Sequence, residues 1–239
     1  ILGARSNQQD SFSILAGDDA LVLVLADGMG GYTGGELASR AAIEGFSQAF
    51  ERENRSPGKR MKDAVTAANE QVRTVRKKRG KDDEMGTTLV AAWIGPEGLR
   101  WVSVGDSLLL LIREEKMFLL NDLHQYSAEL ERMADEGSIS REEALSHPSR
   151  HSLTSALMGR EVPLVDLREE CFPLVSGDRL LVASDGVGPY LDSLGPAGMR
   201  YLSMLSAEEL VRSVLEGINR DGAPNQDNAT LICAEIAEA

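Results

Sequence analysis

The period of the hydrophobic pattern changes several times along this chain. Leu21 to Ala26 reads LVLVLA, a continuous apolar run with β-branched residues, as expected of a strand buried on both faces. From Gly34 to Glu53, Leu37, Ala41, Ala42, Phe46, Ala49 and Phe50 recur at helical spacing. From Arg60 to Arg79, Met61, Ala64, Val65, Ala68, Val72 and Val75 do the same. That second helix closes on Arg76, Lys77, Lys78 and Arg79 and then Gly80. Cations in a last turn followed by glycine stop a helix, so the basic run is read as a solvated helix end, not a nucleic-acid patch. Short strands are predicted over 87–94, 99–104, 108–113 and 116–120, separated by turn signals such as Gly95 to Gly98, as a meander. A polar helical stretch follows over 127–145, with Ser140 and Glu143 offering a capping box inside it. Strands at 179–184 and 229–236 flank a helix that Ser206 and Glu209 cap and that carries Leu210, Val214 and Ile218. Strands in two groups, with helices before, between and after, predict an α+β sandwich. No linker, composition shift or repeat divides the chain, so residues 1–239 are read as one domain.

Charge narrows the set of partners. The formal net charge is -13 and the pI about 4.7, a surface that repels nucleic acid and anionic membrane. No apolar run approaches the ~20 residues that span a bilayer, and no signal peptide is visible, although the chain opens at Ile1 in what reads as the tail of a strand. The cysteines, Cys171 and Cys233, lie in apolar surroundings and form no CxxC pair. They read as buried free thiols in a reducing, cytoplasmic setting.

The candidate chemistry lies in aspartates. Asp27 follows LVLVLA, Asp106 follows WVSVG, Asp185 follows RLLVAS, and Asp227 precedes Asn228 and the last strand. Asp10 ends the N-terminal run that begins at Arg5. Taken singly, each is an ordinary turn residue after a strand. Taken together, strands delivering several carboxylates to one edge would crowd like charges, which divalent cations relieve. Oxygen ligands suit hard ions such as magnesium or manganese. Two such ions favour hydrolysis, and a nearby arginine, Arg5, would hold phosphate oxygens by paired hydrogen bonds. The histidines, His124, His147 and His151, fall in one polar segment without zinc-like spacing and are read as surface residues. There is no Gly-x-Ser-x-Gly elbow and no Walker loop; the glycines from Gly28 to Gly35 open a helix and have no dinucleotide spacing.

The same residues carry a resemblance. Asp27 to Gly31 (DGMGG) with Gly35 to Ser39, then Met85 to Val90 (MGTTLV), Val104 to Ser107 (VGDS), Gly177-Asp178 with Ser184 to Gly186 (SDG), and Asp227 to Thr230 (DNAT) resemble, in order, the motifs of bacterial metal-dependent protein phosphatases of the PPM, or type 2C, class. The resemblance implies a four-layer α/β/β/α sandwich with two antiparallel sheets. It also implies a binuclear Mn2+ or Mg2+ centre, held by Asp27, the Gly28 carbonyl, Asp185 and Asp227, with Asp27 bridging. Asp106 would help hold a third, weaker ion, and Arg5 would bind the substrate phosphate. Gln9, Asp10 and Asn228 would stand behind the ligands. The reaction implied is hydrolysis of phosphoserine and phosphothreonine by metal-activated water, with Arg5, Asp27 and Asp185 as the catalytic set. The implied setting is cytoplasmic signalling by a monomer opposing a bacterial Ser/Thr kinase.

Several positions depart from the family pattern. Gln9 stands where a glutamate is usual, Leu108 where an arginine follows Gly-Asp-Ser, and Val187-Gly188-Pro189 where a leucine and a polar pair follow Ser-Asp-Gly. Met29 takes the place where some members carry a histidine. The segment 121–160, the flap in the family, carries Asp122, His124 and Ser127 spread apart. These departures leave a second expectation open: a catalytically weak or silent phosphatase fold that binds phosphoprotein partners.

Overall fold

The structure, a computed structural model, describes residues 1–17, 19–30, 34–52, 56–79 and 85–237. Gly31, Glu53 and Gly80, named above at a helix entry and two helix ends, lie outside the described residues. One antiparallel sheet runs β1 (Asp10–Ala16), β2 (Leu21–Gly30), β4 (Leu89–Gly95), β5 (Gly98–Val104) and β8 (Asp166–Phe172), with β3 (Met85–Thr87) paired to β2. The other, also antiparallel, runs β10 (Leu231–Glu235), β9 (Arg179–Ala183), β6 (Leu108–Arg113) and β7 (Lys116–Leu119).

Three apolar interfaces stack four layers. In the outermost, α1 (Gly34–Arg52) and α2 (Pro57–Arg79) press Phe46, Met61 and Val72 onto Val22, Val24 and Val102 of the first sheet. Between the sheets, Leu23, Leu25 and Val90 meet Leu109, Leu180 and Val182. On the far side, α5 (Gly188–Ser193), α6 (Pro196–Met204) and α7 (Ala207–Asp221) cover Leu110, Ile112 and Leu181. The α/β/β/α sandwich is therefore as expected. The layers also explain why LVLVLA is continuously apolar. Valines 22 and 24 face the helices while leucines 23 and 25 face the second sheet, so a period-2 element is buried on both sides.

The structure corrects several expectations. The strands between 85 and 120 do not form one meander: β4 and β5 pair in the first sheet, β6 and β7 in the second. The chain crosses between sheets at Gly105-Asp106-Ser107. Gly105 has φ 102, and a Cβ there would lie 2.6 Å from a Thr88 methyl, so only glycine fits this crossing. The single helix expected over 127–145 is two, α3 (Tyr126–Asp135) and α4 (Arg141–Ser146), broken at Gly137 with φ 77. The Ser140–Glu143 capping box starts the second helix and does not sit within the first. Ile1 is not in a strand, although its backbone exchanges two hydrogen bonds with Ala229. The pattern did not reveal β1 and β8. In β1 the apolar Phe12 and Ile14 are exposed, and β8 is an edge strand of mixed charge. Cys171 and Cys233 are free but half-buried, not fully buried.

Candidate active site

The site is assembled at one end of the two sheets. Asp27 does not end its strand, as expected, but lies inside β2, which runs on through Gly28 to pair with β3. Its backbone is gripped by the Thr87-Thr88 pair. The Asp27 N–H donates to Thr88 Oγ1 at 2.9 Å, and the Asp27 carbonyl accepts from the Thr88 N–H and Thr87 Oγ1, both at 2.8 Å. Thr88 Oγ1 in turn shares a 2.7 Å hydrogen bond with Ser107 Oγ of the crossing turn. The Gly-Thr-Thr and Gly-Asp-Ser motifs thus fix the Asp27 backbone to Asp106's own turn.

Strand register brings in Asp10, which lies directly opposite Asp27. Its Oδ2 accepts from Ser184 Oγ at 2.8 Å and from Thr230 Oγ1 at 2.7 Å. These two hydroxyls come from the Ser-Asp-Gly and Asp-Asn-x-Thr motifs, so Asp10 ties β1 to the second sheet. Asp185 opens the single turn 185–187 after β9, and Asp227 precedes β10. Gly186 is pinned against this segment, since a Cβ on it would lie 2.1 Å from the Asn228 carbonyl oxygen. Asn228 accepts from the Gln9 N–H at 2.8 Å and donates to the Leu2 carbonyl at 2.9 Å. The Gln9 carbonyl accepts from the Gly28 N–H at 3.1 Å, and its side-chain amide donates to the Gly30 carbonyl at 3.1 Å. Gly28 in turn packs against Gly35 so closely that a Cβ on Gly28 would lie 2.1 Å from its carbonyl oxygen.

The electrostatics show that the carboxylates converge. Burial, then Asp10, Asp185, Asp227 and Asp106, push the Asp27 carboxyl up to about 10. Burial and the charges of Asp106 and Asp227 push Asp185 up to about 6, against a hydrogen bond from Asp27 that favours its anion. Burial also raises Asp10 and Asp106. A cluster in which one carboxyl keeps its proton to serve another is a cluster short of positive charge. Arg5 supplies some: its guanidinium donates to both Asp227 oxygens, at 2.8 and 2.6 Å. That pair is exposed, at 58% and 40% for the two side chains, so it adds little stability.

Among the described residues, no three His, Cys, Asp or Glu side chains stand as a ready-made metal cage. The carboxylates are turned onto Arg5, Gln125 or one another. The donor set nevertheless fits divalent ions. All the groups are oxygens, hard donors that suit Mg2+ or Mn2+. The buried Asp10 Oδ1 has no hydrogen-bond partner, and such an orphan is costly unless a cation or its water shell serves it.

Two side chains at the site were not anticipated. Gln125 donates to Asp106 Oδ2 at 2.7 Å. His124, expected at the surface, is 6% exposed. Its Nδ1 accepts from the Gly105 N–H at 3.0 Å, its backbone N–H donates to the Gly105 carbonyl at 2.9 Å, and its backbone carbonyl accepts from the Thr154 N–H. Burial lowers its pKa, as suits a neutral imidazole accepting a backbone hydrogen bond. His147 is half-buried and His151 exposed. The Gly177-Asp178 motif is away from the carboxylate cluster: Asp178, 1% exposed, pairs with Arg113 of β6 at 2.8 and 2.6 Å and caps the Val175 N–H.

This fold has counterparts among known proteins. The model of the family described as protein phosphatase 2C matches residues 2–218, and the chain belongs to that family. Serine/threonine protein phosphatase PstP of Mycobacterium tuberculosis is 33% identical over 240 residues, covering 98% of this chain and 43% of that protein. The chain thus spans less than half the length of that relative. Serine/threonine phosphatase stp of Listeria innocua is 29% identical over 189 residues, 77% of this chain and 73% of that protein. The crystal structure of the Mycobacterium tuberculosis phosphatase PstP/Ppp matches with a TM-score of 0.76 at 31% identity, over 98% of this chain and 94% of that one. The catalytic domain of PstP in complex with 2 manganese ions matches with a TM-score of 0.74 at 30% identity and the same coverage.

Proposed function

We propose that this chain is a metal-dependent protein serine/threonine phosphatase, one catalytic domain over residues 1–239. The observation that carries the reading is the meeting of Asp10, Asp27, Asp106, Asp185 and Asp227 at one sheet end, where burial and then the neighbouring carboxylates push Asp27 up to about 10. That end also presents Arg5. Asp27, the Gly28 carbonyl, Asp185 and Asp227 would hold two ions, Mn2+ or Mg2+, and Asp106 a third, weaker one. When bound, the ions neutralise phosphoryl charge and acidify water. The chain's residues do the rest. Arg5 binds the phosphate oxygens through its two-pronged guanidinium, and Thr87 and Thr88 hold Asp27 in place. Asp10 accepts from Ser184 and Thr230 through Oδ2 and leaves its buried Oδ1 unpaired. The substrates are phosphoserine and phosphothreonine proteins, those of a cognate bacterial kinase included, and the enzyme acts as a cytoplasmic monomer in signal transduction.

Hydrolysis of p-nitrophenyl phosphate and of a phosphothreonine peptide with Mn2+ tests this. Chelator is expected to abolish both activities, and Asp185→Asn to lower kcat by at least roughly 100-fold, as loss of an electrostatic group at the reacting centre does. Chelator-resistant activity, or a fully active Asp185→Asn, would sink the reading. Gln9, uncharged beside the ligands, favours a second reading in which the fold binds phosphoproteins without turning them over. Calorimetric titration with Mn2+ separates the two, because a silent fold would show no metal uptake.

A further inference from the structure

A cavity of about 310 Å³ lies on the helical face of the second sheet, where β6 and α5 start two residues after Asp106 and three after Asp185. Leu108, Met117, Leu119, Leu123, Gly188 and Asp192 are among the residues that line it. Its walls continue directly from the site. Leu108 follows Ser107, whose hydroxyl meets the Thr88 hydroxyl that accepts from Asp27. Gly188 follows the turn 185–187 that Asp185 opens. Leu123 stands between Asn121, which bonds Leu109 and Ser107, and His124, which bonds Gly105.

Leu108 and Gly188, which follow the Gly-Asp-Ser and Ser-Asp-Gly motifs, both line this cavity, one from the start of β6 and the other from the start of α5. At 108 the chain offers a leucine, and at 188 it offers no side chain. A Cβ on Gly188 would lie 3.5 Å from Leu108 Cδ1, so any larger residue at 188 would grow into the space. Leu119 remains 48% exposed at the mouth, on the edge strand β7. An apolar recess left open beside a charged site is the usual form of a pocket that selects a side chain.

We propose that this cavity is a substrate subsite, receiving an apolar side chain of the phosphoprotein close in sequence to the phosphorylated residue. It rests on the phosphatase reading and names what the same site selects. An extended peptide advances about 3.3–3.6 Å per residue, so a phosphate at the carboxylate cluster carries its near neighbours past the mouth. The lining is apolar apart from Asp192, so a leucine or methionine fits it, whereas an acidic side chain would lose solvation and meet Asp192.

The test uses phosphothreonine peptides in which a single leucine is moved through the flanking positions, each compared with its aspartate counterpart, alongside p-nitrophenyl phosphate. One register is expected to favour leucine by roughly tenfold or more in kcat/KM, mostly through KM, the range over which hydrophobic pockets discriminate. Gly188→Leu, which fills the cavity, and Leu119→Lys, which charges its exposed mouth, are both expected to erase that preference while p-nitrophenyl phosphate turnover stays within about twofold. If no register favours leucine while p-nitrophenyl phosphate is hydrolysed, the subsite is wrong and the phosphatase reading stands. Failure to hydrolyse either substrate with Mn2+ overturns both. A change of oligomeric state with Leu119→Lys, at unchanged peptide preference, would assign the cavity to self-association instead.

Discussion

Gln125 shows how a site depends on residues that hold no ligand themselves. Its amide donates to one oxygen of Asp106 and favours the anion, against the burial that raises Asp106. Gln125→Ala removes that donor, so the Asp106 pKa rises further. If Asp106 helps to hold a metal, the Mn2+ concentration giving half-maximal activity is expected to increase about 10-fold, as loss of groups that orient metal ligands does. A Mn2+ titration of the variant checks this, and an unchanged curve would separate Asp106 from metal binding. No sequence pattern marks Gln125, because it meets Asp106 across 19 residues and a change of sheet. Asp27, Asp185 and Asp227 were legible because each stands in a motif with glycines or an asparagine. Those neighbours are themselves required by close backbone packing, as at Gly28 and Gly186.

At the scale of elements, motif residues divide into those that form the site and those that brace it. Asp178 belongs to the second kind. Its carboxylate joins β6 through Arg113 to the turn before β9 and takes the Val175 N–H. Removing the buried carboxylate leaves the Val175 N–H and the partly exposed Arg113 guanidinium without it, at a cost of about 1–3 kcal/mol. Asp178→Ala is therefore expected to lower the denaturant midpoint strongly while leaving the metal affinity of the folded fraction unchanged. Urea melts and Mn2+ binding on the same sample test both halves, and a variant of normal stability would refute the bracing role. The α+β class and most strands and helices were legible because LVLVLA, the helical stripes and the Ser206–Glu209 box are local signals. The β1 strand was not, since its exposed Phe12 and Ile14 invert the expected burial. The split of 127–145 into two helices was also missed, since a left-handed Gly137 leaves little trace in the pattern.

For the whole molecule, the carboxylate cluster links stability, pH and metal. Asp185 is raised to about 6 and Asp27 to about 10, while unfolded carboxylates titrate near 3.9. The folded chain thus keeps protons that the unfolded chain releases. The resulting stability is fully present below about pH 4 and is lost as pH rises through 6 for Asp185 and on toward 10 for Asp27. Without metal, the Tm is expected to fall as pH rises through about 6. Mn2+ at 100 times its Kd would add about 2.7 kcal/mol, worth roughly 5–10 °C in a chain of this size, and its binding would release protons. Thermal melts across pH with and without Mn2+ test this; a Tm indifferent to both would show that the aspartates do not act as one cluster. The sequence by itself determined which residues carry charge, which strands are buried on both faces, and where glycine is needed, because these are set by local pattern and motif. Only the tertiary structure decided that Asp10 lies opposite Asp27, that Gly105 to Ser107 crosses between sheets, and that Arg5 meets Asp227 across 222 residues. Such contacts follow from strand register and layer packing, which join distant segments and so leave no periodic signal along the chain.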